Sequence, residues 1–243
     1  MATDAAVVIA YRPMGTYLWA DGETRTGCPH RGRAFDYVTR WYTDLDWPII
    51  VEGGEDDATF GRASAINTAI GRTNAKVIVQ TDPDSLVPLN RLRDAVDLAG
   101  GSDGLVIPHS QYLYASEDPT RWILADLVDP FGLREAAFDE HGLGGSGNVV
   151  VFSRATWEQA GGFDERFGVW GGDDAAFRYA CDAIVAPTRQ LPGKMVHLWH
   201  PRLPQSRPGH PGYAEQFSIL AQYRDAAAQG PAAVRALVEA RRV

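Results

Sequence analysis

The sequence predicts an α/β fold: a doubly wound, mostly parallel central sheet flanked by helices, with a helical C-terminal tail. Three observations carry that expectation. Short apolar runs such as Val77-Ile78-Val79 alternate with segments whose apolar residues recur at helical spacing, the pattern of consecutive βαβ units. The runs are apolar at successive positions rather than alternate ones, as in strands covered on both faces. The runs also end in polar, turn-forming residues, and ligands of such sheets bind beyond the carboxyl ends of the strands.

In chain order, residues 6–11 form the first strand. Phe35, Val38, Trp41 and Tyr42 mark a helix, and residues 48–52 a second strand. A helix ending at Gly71 leads into a third strand at 76–80. The helix that begins at Leu89 closes on Gly100 and Gly101 as C-cap residues. The loops after Tyr11, Glu52 and Gln80 should therefore line one cleft. Beyond residue 101 the pattern loosens. It offers a strand within 104–114, a helix within 118–129, a Gly-rich loop at 142–148, and a strand at 149–152. Two helical stretches follow, then a last strand running into "VHLWHP". The tail from Tyr213 is helical, with a break at Gly230-Pro231. With no repeat or low-complexity linker, one domain over 1–243 is expected, in three stretches: 1–101, 102–212, and C-terminal helices at 213–243.

The 243 residues suffice for a sizeable core, and 45% hydrophobic with 22% charged content is ordinary for a globular protein. A net charge of −8 argues against a broad nucleic-acid face, although Arg189, Arg202 and Arg207 offer a local basic patch. No run of eighteen apolar residues is present, and the N-terminus lacks the basic start of a signal peptide. Two cysteines are too few for a disulfide framework and fit a reducing compartment. Together these imply a cytoplasmic location.

Four constellations carry chemistry. Asp82-Pro83-Asp84, directly after a buried strand, is either an acidic turn or a site for a hard divalent cation, which favours carboxylate oxygens. His197 is a candidate imidazole ligand, a mixture that suits Mn²⁺, or simply a hydrogen-bonded histidine. In a strand, His197 aligns with Trp199 rather than His200, so one histidine reaching the metal is enough. Asp173-Asp174 follow two glycines. Asp173 can cap a helix starting near Asp174, and a carboxylate there feels the positive end of the helix dipole and stays ionised, as a general base must be. The loop "GLGGSGN" lacks the Lys-Ser/Thr of a P-loop; it is a flexible loop near a donor or a plain connector.

Taken in order, these residues resemble the metal-dependent glycosyltransferases of the GT-A fold. The likeness is to the group of β-1,4-galactosyltransferases, polypeptide N-acetylgalactosaminyltransferases and chondroitin-polymerase-like enzymes. "IAYRP" resembles that group's "IPFR", "FGRASAIN" its "FNRAxLLN", and "TDPDSLVP" its "SDVDLIPM". "GGFDERFGVWGGDD" resembles its "NGFxNxYWGWGGEDD". The resemblance implies donor contacts from Tyr11, Arg12, Glu52, Phe60, Arg62, Asp82, Gly145 and Trp170. It places Trp170, Asp173 and His200 on the acceptor side, Mn²⁺ or Mg²⁺ on Asp82, Asp84 and His197, and the catalytic base at Asp174. The implied reaction is inverting transfer of a hexose from a nucleotide sugar, a UDP-sugar first, to an acceptor hydroxyl on a glycan, protein, small molecule or modified DNA base. A retaining transferase of the same fold, and a metal-dependent sugar-nucleotide hydrolase or binding protein, are the alternatives. Two departures bear on specificity. Ala175 and Ala176 follow the acid pair where the family has a further acid, and Glu52-Gly53-Gly54 replaces an Asp-containing turn.

Overall fold

The computed structural model describes residues 4–19, 21–55, 60–143, 147–168 and 171–241, with only the backbone of 140, 141, 143 and 205. A six-stranded sheet runs through the molecule. Across it lie Arg189–Gln190, Leu105–Ile107, Val149–Ser153, Val77–Thr81, Ala5–Ala10 and Ile49–Glu52. Three of its five pairings are parallel; Val149–Ser153 runs antiparallel to both neighbours.

Strand periodicity sorts the apolar runs into two cores. Ala5, Val7, Ile9, Val77, Val79, Val149 and Val151 face one side, against helices Pro29–Thr43 and Leu89–Gly100. Ala6, Val8, Ile78, Val150 and Phe152 face the other, against helices Arg62–Gly71 and Asp173–Ile184 and the tail helices Pro211–Gln229 and Pro231–Ala240. Consecutive apolar residues are needed because both faces are buried. The helices after the first and second strands therefore lie on opposite faces, and a crevice opens at the carboxyl edge where their connections diverge.

A second, four-stranded sheet orders Ser85–Leu86, Lys194–His197, Gln111–Ala115 and Phe138–Leu143 beside that edge, and a hairpin joins Thr16–Leu18 to Thr24–Thr26. Sequence patterning missed three of these pieces. Ser85–Leu86 is two residues long, Phe138–Leu143 carries "FDEHGL" without alternation, and the hairpin strands have three residues each. The segment 104–114, read as one strand, divides between the two sheets.

One cap expectation holds and one is corrected. Gly101, at φ −99°, is the C-cap of the Leu89–Gly100 helix. The helix expected near Asp174 starts at Asp173, and Gly172 at φ +96° is its N-cap; Asp173 caps nothing. A Cβ at Gly172 would stand 2.7 Å from the Phe167 ring, so geometry and space both call for glycine. The tail is fastened by Arg241. Its guanidinium donates to the carbonyls of Gly161 (2.9 Å) and Gly162 (2.7 Å) and to the Tyr223 hydroxyl (2.6 Å), which in turn donates to buried Asp164 (2.9 Å).

Candidate active site

The ladder of the second sheet brings Asp84 to the histidines. Ser85 pairs with His197, and the Leu198 N–H donates to the Asp84 carbonyl at 2.8 Å. Backbone register thus sets a buried carboxylate against an imidazole far away in sequence. His197 Nε2 lies 3.3 Å from Asp84 Oδ1, and His200 Nε2 lies 3.3 Å from Asp84 Oδ2. One ligand atom from each of the three residues falls within 4.8 Å of the others. His200, expected on the acceptor side, joins this cluster because the strand ends at His197 and the chain then turns. Strand alternation therefore no longer decides which side chain points inward.

The protonation states suit a cation. Burial holds His197 down to about 4, leaving a neutral ring. The His200 Nδ1 lies 2.7 Å from the Pro201 carbonyl, a contact that needs a proton on Nδ1 and turns Nε2 toward Asp84. Burial alone would raise Asp84, but Arg31 and the two histidines outweigh it and keep the carboxyl well below the usual range. Asp84 Oδ2 is buried without a hydrogen-bond partner. One carboxylate and two imidazoles, with an oxygen left over, form a mixed oxygen and nitrogen set that can hold a divalent ion such as Mn²⁺.

Asp82 belongs to a different group. Arg62, in the first turn of its helix, donates to Asp82 Oδ1 from Nη2 (2.6 Å) and Nε (3.2 Å). Its Nη1 reaches Asp174 Oδ1 (3.1 Å) and Asp173. One buried guanidinium thus ties the strand-end acid to the acid pair, and Asp82 is turned from the metal cluster in which it was expected. The expectation that Asp174 stays ionised through the helix dipole is also corrected. Burial pushes its carboxyl up to about 8; Arg62 opposes the rise, and Asp173 and Asp82 add to it. Burial raises Asp82 as well, against Arg62. A Cβ at Gly147 would fall on the Asp174 carboxylate, so that glycine permits the close cover over the acid.

Beside the two groups lies a cleft of about 610 Å³ whose lining includes Arg12, Arg31, Phe60, Asp82, Asp84 and Trp199. The Arg12 guanidinium sits over the Phe60 ring, 5.1 Å from its centroid. Two expected donor contacts do not line it. The Tyr11 ring stacks on Phe35 at 4.0 Å, and Glu52 pairs with Arg72. Arg202 and Arg207 do line the cleft, whereas Arg189 reaches toward the Leu98 and Asp103 carbonyls. Gly145 and Trp170 lie outside the described residues. Sequence reasoning missed Arg31; its one signal was a cation in the first turn of the first helix of an α/β fold, where loops meet ligands.

No family model and no curated protein matches the chain. Solved structures do. The mannosyltransferase PcManGT of Pyrobaculum calidifontis, in complex with GDP-Man and Mn²⁺, superposes with a TM-score of 0.50 at 18% identity, over 99% of this chain and 69% of that one. TarS 1–349 of S. aureus gives 0.51 at 11% identity, over 90% of this chain and 64% of its own length, just under two thirds. The catalytic domain of Drosophila β1,4-galactosyltransferase 7, with xylobiose, gives 0.46 at 11% identity, over 88% and 79%, a match too loose to carry an argument. At these identities the likeness establishes the fold, which is that of GT-A glycosyltransferases.

Proposed function

We propose that the chain is a metal-dependent glycosyltransferase that moves a hexose from a nucleoside diphosphate sugar, a UDP-sugar first, to an acceptor hydroxyl with inversion. The observation that carries the reading is the Asp84–His197–His200 cluster in one cleft, joined through Arg62, which also lines that cleft, to the Asp173–Asp174 pair behind it. A divalent ion bound there supplies positive charge for a leaving diphosphate. Asp84 and the two imidazoles would hold it, with the His200 tautomer fixed by Pro201. Phe60 and Arg12 offer a flat, cationic cradle for a nucleobase. Arg62 orients Asp82 toward the donor and Asp174 toward the acceptor. Asp174 takes the acceptor proton as the acceptor oxygen bonds to the anomeric carbon and the bond to the diphosphate oxygen breaks. The GDP-Man and Mn²⁺ bound by PcManGT support a nucleotide-sugar reading in this fold.

The test is transfer from UDP- and GDP-sugars across an acceptor panel, with and without EDTA, and proton NMR of the product. Metal-dependent transfer with an inverted anomeric centre is expected. EDTA-resistant transfer would remove the metal from the reading, a retained configuration would make it a retaining enzyme, and hydrolysis indifferent to acceptor would make it a hydrolase.

A further inference from the structure

The second sheet carries another cavity, which the proposed reaction does not use. It holds about 370 Å³, and Gln111, Leu113, Leu133, Glu135, Phe138 and Lys194 help to line it. Strand alternation separates it from the cleft. In strand Gln111–Ala115, Gln111 and Leu113 point to one face, Tyr112 and Tyr114 to the other. Lys194 pairs with Gln111 and His197 with Tyr114 in the parallel ladder, so Lys194 shares the cavity face and His197 the opposite one. Tyr114 lines the cleft and stacks on the His197 ring at 4.3 Å. The cleft and the cavity therefore lie on opposite faces of the same two strands.

The lining combines three chemistries. Leu113 and Phe138 are buried and Leu133 half-buried, which gives the cavity apolar surface. Lys194 and Glu135 are exposed and carry opposite charges. Neither side chain has an ion-pair or hydrogen-bond partner among the described residues, so they do not neutralise each other. One cation and one anion thus stay available to a guest. Small-molecule sites have this make-up, apolar walls with a few polar groups that fix orientation, and volumes of about 300–1,000 Å³. We propose that the cavity is a second ligand site, distinct from the cleft, for a small zwitterion with an apolar body. Its carboxylate faces Lys194, its ammonium faces Glu135, and its hydrocarbon covers Leu113, Leu133 and Phe138. An amino acid with an aliphatic or aromatic side chain is the simplest molecule with all three features. An anion alone is repelled by Glu135 and a cation alone by Lys194, so the charge pair discriminates against both.

Isothermal titration of the full chain tests it, with L-phenylalanine, 3-phenylpropanoate, phenethylamine and glycine as probes. The proteins are the wild type, Lys194→Gln, Glu135→Gln and Asp84→Asn. Phenylalanine should bind the wild type most tightly. Phenylpropanoate and phenethylamine, each lacking one charge, should bind about two- to fivefold more weakly, the worth of one exposed ion pair. Glycine, without the hydrocarbon, should lose about tenfold or more. Lys194→Gln should weaken phenylalanine and phenylpropanoate by about two- to fivefold and leave phenethylamine no weaker. Glu135→Gln should weaken phenylalanine and phenethylamine and leave phenylpropanoate no weaker. A change that merely loosened the cavity would weaken all three alike, so the crossed pattern isolates charge recognition. Asp84→Asn, which alters the cleft, should change none of them. No binding of phenylalanine at up to about 10 mM overturns the proposal, as the weak end of measurable affinity. Uniform losses across the three probes overturn it too, and so does binding lost in Asp84→Asn, which would put the ligand in the cleft. Thermal melts of the variants confirm that the fold is kept.

Discussion

Asp174 is a carboxyl held up by its surroundings, which gives it two measurable properties. A base must be deprotonated to act, and burial raises this one to about 8, so kcat/KM should climb through mildly alkaline pH on a single limb. Because the folded carboxyl is raised above its unfolded value, its contribution to stability is present at low pH and is lost as pH rises through about 8. Asp174→Asn removes the ionisation at little change in shape. It should cost transfer on the order of 10² or more. It should also melt at a higher temperature than the wild type at pH 9, by a margin that shrinks as pH falls toward the ordinary carboxyl value of 3.8. Full transfer activity in that variant, or a flat pH profile, would displace Asp174 from the role of base. At this same scale, the residue types were legible in the sequence but their partners were not. Asp84 and His197 were singled out by type and position. That Asp82 turns to Arg62, and that His200 joins Asp84, depend on side-chain directions that no local pattern encodes.

The elements that carry these residues were read from sequence wherever periodicity was long. The five-residue strand Val77–Thr81 and the helices Arg62–Gly71 and Leu89–Gly100 stand close to where apolar spacing put them. The two-residue strand Ser85–Leu86, which supplies the register that brings His197 to Asp84, is too short to have a period at all. Helix starts depend on single residues in the same way. Gly172, after Gly171 at φ +93°, permits the left-handed entry that aims Asp173 and Asp174 at Arg62. Gly172→Ala should therefore destabilise by about 1–3 kcal/mol from strain and crowding against Phe167. It should also lower transfer more than Mn²⁺ affinity, because it moves the acid pair and leaves Asp84 in place. A variant with normal stability would show that the entry adjusts freely.

Across the whole molecule, the two cores are closed from different parts of the chain. The face under the tail helices depends on Arg241, whose guanidinium satisfies carbonyls at the end of helix Arg154–Ala160. Arg241→Ala leaves those carbonyls without this donor, so a loss of about 1–3 kcal/mol in denaturant unfolding is expected, with Mn²⁺ binding unchanged. No helix among the described residues is long and apolar enough to cross a membrane. The antiparallel strand Val149–Ser153 has a consequence of another kind. It sits between Val77–Thr81 and Leu105–Ile107, two strands that precede it in the chain, and hydrogen-bonds to both. During synthesis or refolding, those earlier strands wait with facing edges unpaired until a segment far downstream threads between them. Such non-local closure slows folding and leaves sticky edges exposed meanwhile. Refolding yield should thus fall as protein concentration rises, because a second molecule's strand competes for the empty seat.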